Sequence, residues 1–276
     1  YRNASSASPP AFTAVAMNDQ GTSSDGAAGD GIYGAPLPAQ ASLTIIEFYV
    51  ATTNALGLGR TWPATALDAN DGPLQQANAH YQVDDTVYAG NQPFYRFVMT
   101  EADRAELRRE HDNDSNDANS LCAQMNLTFI TQDGTESLCI YLAGARNRGA
   151  GTRSAWPQNY RVAFPNDNRW KGVRSVHLNT QYTHSQMAAC AVFLNSGIDV
   201  ELGRAVQVRV NGVQLANAGS PQFGSYMELE GTDSDYAASH DPDDPSGNAY
   251  RGSKYPWEAN LAYYGSDTNA YYGTRG

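Results

Sequence analysis

Lysine is nearly missing from this chain of 276 residues: of 18 basic residues, 16 are arginine, and only Lys171 and Lys254 are lysine. Most cationic contacts must therefore be made by guanidinium groups. These are planar and always charged, and they suit carboxylates and phosphates held by two bonds at once. Cysteine is scarce too. Cys122, Cys139 and Cys190 form no CxxC pair and no His/Cys cluster at metal-ligand spacing, which excludes zinc ribbons and dithiol redox motifs. One disulfide plus a free thiol is compatible with three cysteines; three unpaired, buried thiols is the preferred reading. No apolar run approaches membrane-spanning length, so no membrane span is expected. Positive charge is in deficit. The formal net charge is −11, which argues against non-specific binding to nucleic acid.

Charged residues make up only 17% of the chain, while Gly, Asn, Asp, Ser and Tyr abound. That mixture suits a strand-rich, loop-rich extracellular protein. The chain opens on Tyr1-Arg2-Asn3 and closes on Gly273-Thr274-Arg275-Gly276, as though cut from a longer protein, and a segment of one is expected.

Against this background one stretch is unusual. From Tyr141 to Thr180 there are seven basic residues (Arg146, Arg148, Arg153, Arg161, Arg169, Lys171 and Arg174) and a single acid, Asp167. Gly144, Gly149 and Gly151 lie among the first arginines, and glycine lets a backbone approach an anion closely. An anion site, phosphate above all, is one reading. The other is that these arginines pair with Glu228, Glu230, Asp233 and Asp235 to hold a sheet together. Asp19, Asp25 and Asp30, and again Asp241, Asp243 and Asp244, read as solvated turns. Calcium is the alternative, although no EF-hand spacing is present.

In chain order, residues 1–65 read as a small β module, with strands at 11–17 and 43–52 around the Gly/Ser/Asp-rich turn of 18–31. Residues 66–92 read as a polar connector. A second unit, 93–276, begins with a strand at 94–99. Thr100 is placed to cap a helix over 101–110, with acids in its first turn and arginines in its last. A hairpin turns at Asp133-Gly134. Strands follow at 159–164 and 175–179, then a helix at 185–196 ended by Gly197. In that helix Met187, Ala191 and Leu194 recur on one side. Val206, Val208 and Val210 alternate with Gln207, Arg209 and Asn211, so their strand has one buried face. Tyr226, Glu228 and Glu230 share a face of the next strand. A short helix or turn is expected at 233–240.

The run Arg146-Asn147-Arg148-Gly149-Ala150-Gly151-Thr152-Arg153, then Pro157-Gln158-Asn159-Tyr160-Arg161-Val162, then His177-Leu178-Asn179-Thr180-Gln181, resembles the spore-coat-protein-H (CotH) kinase-like family. The segments 206–212, 224–230 and 247–251 are similar to later family segments, in the same order. The likeness spans about residues 93–255. Gly29 to Ala35 and Glu47 to Thr52 resemble the end of immunoglobulin-like modules found in large secreted bacterial proteins.

The resemblance implies an α+β, β-rich chain: a partial immunoglobulin-like module followed by part of an atypical kinase-like domain. That domain would bind ATP with Mg or Mn and transfer phosphate to a protein substrate. Arg146, Arg148, Arg153 and Arg161 would belong to its ATP side, with Glu230 as the facing carboxylate. Gln158 stands where many members carry lysine. The tail 254–276 shows neither the Asn-x-Asp loop nor the later aspartate pattern, so catalysis would need a further C-terminal part. The alternative is a non-catalytic structural or adhesive module, partnered by itself or by a cell surface. Tyrosine and tryptophan content keeps glycan binding as a third class.

Overall fold

The computed structural model describes residues 1–67, 70, 72, 77–113, 124–149, 152, 153, 155–246, 263, 265 and 266. They fall into two compact units, Tyr1–Glu230 and Gly231–Gly276. The chain is α+β and β-rich, with few helices.

The centre of the first unit is a closed seven-stranded barrel. Its members are β6 (Phe94–Val98), β7 (Met125–Gln132), β8 (Ser137–Asn147), β9 (Tyr160–Ala163), β10 (Ser175–Asn179), β11 (Gly203–Val210) and β12 (Tyr226–Glu230). Around the barrel the order is β10-β12-β11-β6-β7-β8-β9, and β9 returns to β10. All neighbours are antiparallel except β11 and β6. Closure removes the unpaired edge that an open sheet would present.

Inward residues follow the period of two that the sequence shows. Val206, Val208 and Val210 on β11 are buried together with Tyr95, Phe97, Phe129, Tyr160, Val162, Leu178 and Tyr226. Phe129 lies at the middle of this core. Its ring centroid is 5.3 Å from Tyr95, 5.6 Å from Phe97, 5.2 Å from Phe164 and 5.9 Å from Trp170. Between Leu127 and Phe129 the pairing with β8 slips, so that Tyr141 and Leu142 together oppose Thr128. Leu142 takes φ 61° at this bulge.

The expected helix at 101–110 is α1 (Glu101–Asn113). The Thr100 hydroxyl accepts the Asp103 N–H at 3.0 Å and donates to the Asp103 carboxylate at 2.7 Å, as a capping residue should. Helix α2 (Thr183–Asn195) ends as anticipated. Gly197 (φ 71°) donates to Leu194 O and Ile198 N–H to Phe193 O, the two bonds of a Schellman turn. Its apolar stripe differs from expectation, however. Met187 is 40% exposed and Leu194 44%, while Thr183 is the buried side chain, with its hydroxyl bonded to Gln222 O at 3.2 Å.

The first 65 residues hold β1 (Arg2–Asn3), β2 (Ile45–Phe48), β3 (Val50–Thr53) and β4 (Gly59–Trp62). The strand expected over 43–52 is thus broken at Tyr49. β3 pairs with β4, and β2 pairs with β1 and with β5 (Ala79–Gln82), a strand inside the stretch that reads as connector. Residues 11–17 form no strand. Phe12 instead packs edge-on to Tyr49 at 5.0 Å, with the Arg2 guanidinium over its ring at 4.3 Å.

The small sheet lies on the outer side of the barrel wall. Ala4 and Ile45 bury Val98, with Ile130 against them. Next to this contact is a buried polar group. Glu47 accepts from Arg2 Nε and Asn78 Nδ2, each at 2.6 Å, and faces His80 across the β2–β5 pair. His80 is 1% exposed, and its backbone N–H donates to Thr128 Oγ1 of the barrel at 3.2 Å. In the second unit, α3 (Ser234–His240) is capped by Asp233, which accepts the Asp235 N–H at 2.9 Å.

Candidate functional site

Three of the four arginines proposed for the anion site share one outer face. On β8, buried Ala143, Ala145 and Asn147 alternate with residues that point away from the core, Arg146 among them. Arg161 does the same between Tyr160 and Val162 on β9. The register sets Arg146 directly opposite Arg161, and Arg161 opposite His177 on β10. Arg161 also donates to Ser175 Oγ at 3.3 Å. Just beyond β8, the Arg148 backbone N–H donates to Asn159 O at 3.0 Å, and its guanidinium bonds Asn179 Oδ1 of β10. Asn179 is held in turn by Gln186 Oε1 of α2 at 2.9 Å.

The other predicted site residues fall elsewhere. Arg153 is 1% exposed, inside the loop between β8 and β9. Glu230 is on β12, separated from β9 by β10. It pairs with Val176, so alternation sets it on the face of Val176 and Arg161 on the face of His177. Its carboxylate accepts the Leu202 N–H at 2.7 Å. Lys171, counted with the basic stretch, sits at the far end of the barrel and pairs with Asp133 in the β7–β8 turn. That pairing holds the Asp133 carboxyl well below the usual range.

Gln158 is 5% exposed and fully engaged. It donates to Leu107 O and Asn147 Oδ1, both at 3.0 Å, and accepts the Tyr160 hydroxyl at 3.1 Å. A neutral amide satisfies these neighbours; an ammonium there would place a charge among neutral partners.

Glu228, named above as a candidate partner of the basic stretch, instead meets Arg204, an arginine outside that stretch. Inside the barrel Glu228 accepts the Tyr95 hydroxyl and, at 3.2 Å, Arg204 Nε, while Arg204 Nη2 donates to the Tyr95 oxygen at 2.8 Å. Burial raises the Glu228 pKa against the pull of Tyr95 and Arg204. Burial likewise works against the Arg204 cation, but Glu228 and Tyr95 outweigh it and raise that pKa. The guanidinium therefore stays charged. The signal was present in the sequence: Arg204 has the parity of Val206, and Glu228 that of Tyr226, so both point inward.

The aspartates singled out in the Gly-rich turn are held by backbone N–H groups of that turn. Asp25, 2% exposed, accepts from Gln20, Gly21 and Ser23 N–H groups; Asp19 accepts from Gly29 and Gly31, and Asp30 from Ala27 and Ile32. Their oxygens serve the turn itself. Among the described residues, no group of three or more His, Cys, Asp or Glu is placed to hold a metal ion. Cys139 and Cys190 are free thiols; Cys122 and the 247–251 segment lie outside the described residues. No described helix is long and apolar enough to cross a membrane. A scan against protein-family models matches no family, and a search of curated proteins returns no match.

Proposed function

We propose that this chain is part of a secreted bacterial protein of CotH-like, kinase-related type, and that its arginine wall takes a phosphate-bearing ligand. Residues 1–65 would then be the end of an immunoglobulin-like module. The ordered motifs between 93 and 255 support the family, and one observation carries the ligand: Arg146 stands opposite Arg161 in register, with Arg148 following on the same side. Like charges set directly across a ladder cost stability, and a multiply charged anion bridging the two guanidiniums offsets that cost. The arginines suit phosphate oxygens, and among the described residues no group of three or more His, Cys, Asp or Glu is placed to hold a metal ion. The reading here is therefore ATP or polyphosphate binding. Transfer to a protein substrate would need aspartates outside the described residues.

ATP at about 100 times its Kd should add about 2.7 kcal/mol of stability, read as a raised Tm. The double variant Arg146→Gln/Arg161→Gln should lose this shift. An unchanged Tm of the parent protein in millimolar ATP, with or without Mg, sinks the reading.

One observation favours the second reading, a structural or adhesive module that self-associates. Val192, Phe193 and Leu194 of α2 are 63%, 45% and 44% exposed, and Ile198 just after it 53%. Contiguous apolar exposure marks interaction surfaces. If this reading holds, Phe193→Glu shifts an oligomer to monomer in sedimentation velocity; a parent protein monomeric at high concentration refutes it.

A further inference from the structure

Where α1 crosses the end of the barrel there is a cleft of about 330 Å³, separate from the arginine wall. We infer that this cleft binds a small carboxylate with a flat, apolar body. Its volume lies at the lower end of the range for small-molecule sites.

The charge comes from one face of α1. Arg104 and Arg108, one turn apart, both line the cleft. Glu101 also lines it and takes Arg104 Nε at 2.7 Å, which leaves Arg104 largely neutralised. Arg108 gives only Nε to Asp112, at 2.8 Å, and Asp112 is not part of the lining. Each guanidinium thus has a carboxylate partner, but the Asp112 pair engages Arg108 through Nε and not through its terminal nitrogens. The pull of both guanidiniums is felt at the floor: burial raises the Tyr160 pKa, while Arg104 and Arg108 lower it.

The second feature is an orphaned donor. Asn211 lines the cleft in a left-handed turn conformation, φ 49°. Its Oδ1 accepts the Met99 N–H at 3.1 Å, which fixes the amide. Its Nδ2 is buried and meets no acceptor among the described residues. Leaving such a donor unmet is unfavourable, and an incoming acceptor relieves it. A carboxylate can take Nδ2 with one oxygen and the Arg108 terminal nitrogens with the other.

The walls specify the body of the ligand. The Trp156 ring carries the Arg108 guanidinium 3.9 Å above it and is 46% exposed, so a planar face is on offer. Leu107, Val210 and Leu215 complete an apolar lining. A sugar acid would set hydroxyls against the apolar walls, and bare phosphate would leave those walls wet.

The test is isothermal titration of the full chain with 1-naphthoate, glucuronate and inorganic phosphate. Saturable binding of naphthoate alone is expected. Asn211→Asp keeps the Met99 bond and tolerates the left-handed backbone, but it swaps the donor for a repelling oxygen. It should weaken binding by about tenfold or more, as should Arg108→Gln. Arg146→Gln should leave naphthoate affinity unchanged, so failure here is distinguishable from failure of the phosphate reading. No heat with naphthoate at about 5 mM overturns the inference. So does equal affinity in the Asn211 and Arg108 variants, or a preference for glucuronate or phosphate.

Discussion

Acidification from pH 7 to pH 4 should remove about 3 kcal/mol of unfolding free energy through His80 alone. The imidazole is buried between the small sheet and the barrel, and burial lowers its pKa from 6.5 to about 4. Glu47 across the strand pair and the Val98 backbone pull the value up and Arg2 pulls it down, but desolvation prevails. Because the folded value is the lower one, the unfolded chain takes up a proton that the folded chain refuses. The His80 contribution is thus complete above pH 6.5 and is lost progressively down to about pH 4. Urea titrations at both ends of this window, on the parent chain and on His80→Gln, isolate the effect. The variant, which has nothing to titrate here, should lose less stability by that same amount. Equal losses in both proteins would refute the assignment. An imidazole signal that titrates near pH 6.5 in the folded protein would do so independently.

Replacing Phe129 with alanine should cost about 3–5 kcal/mol. The ring is fully buried and contacts four other aromatic rings drawn from β6 and from the chain around β9. Truncation removes the transfer energy of a large apolar group and leaves a void that a closed barrel cannot collapse to fill. Each strand is held on both sides, so relaxation at one position has to be shared around the whole ring. In chemical denaturation the midpoint should fall sharply while the slope stays constant. A loss below about 1 kcal/mol would mean that the barrel core is less tightly packed than its ring contacts indicate. Phe129→Leu, which keeps most of the volume, should lie between the two.

The local devices of this fold were legible in the residues. Thr100 caps α1, Gly197 ends α2, Asp133-Gly134 turns β7 into β8, and the valine alternation of β11 assigns its inner face. Each depends on a few neighbouring residues and on backbone sterics, which act within one or two turns of chain. The same locality explains the misses. Residues 11–17 have strand composition but find no partner strand, and β5 hides in a polar stretch because its pairing with β2 is decided by a contact with the barrel.

For the site, sequence alone determined that positive charge is concentrated between 146 and 174 and that arginine carries it. Tertiary structure decided how that concentration divides. Register set Arg146 against Arg161, loop folding buried Arg153, and barrel closure sent Lys171 to the far end beside Asp133. Closure also brought Arg204 to Glu228 and Tyr95, from strands far apart in the chain. Charge along a sequence is a sum over neighbours, whereas which charges meet depends on long-range strand pairing, and a shift of one residue there turns every side chain to the opposite face.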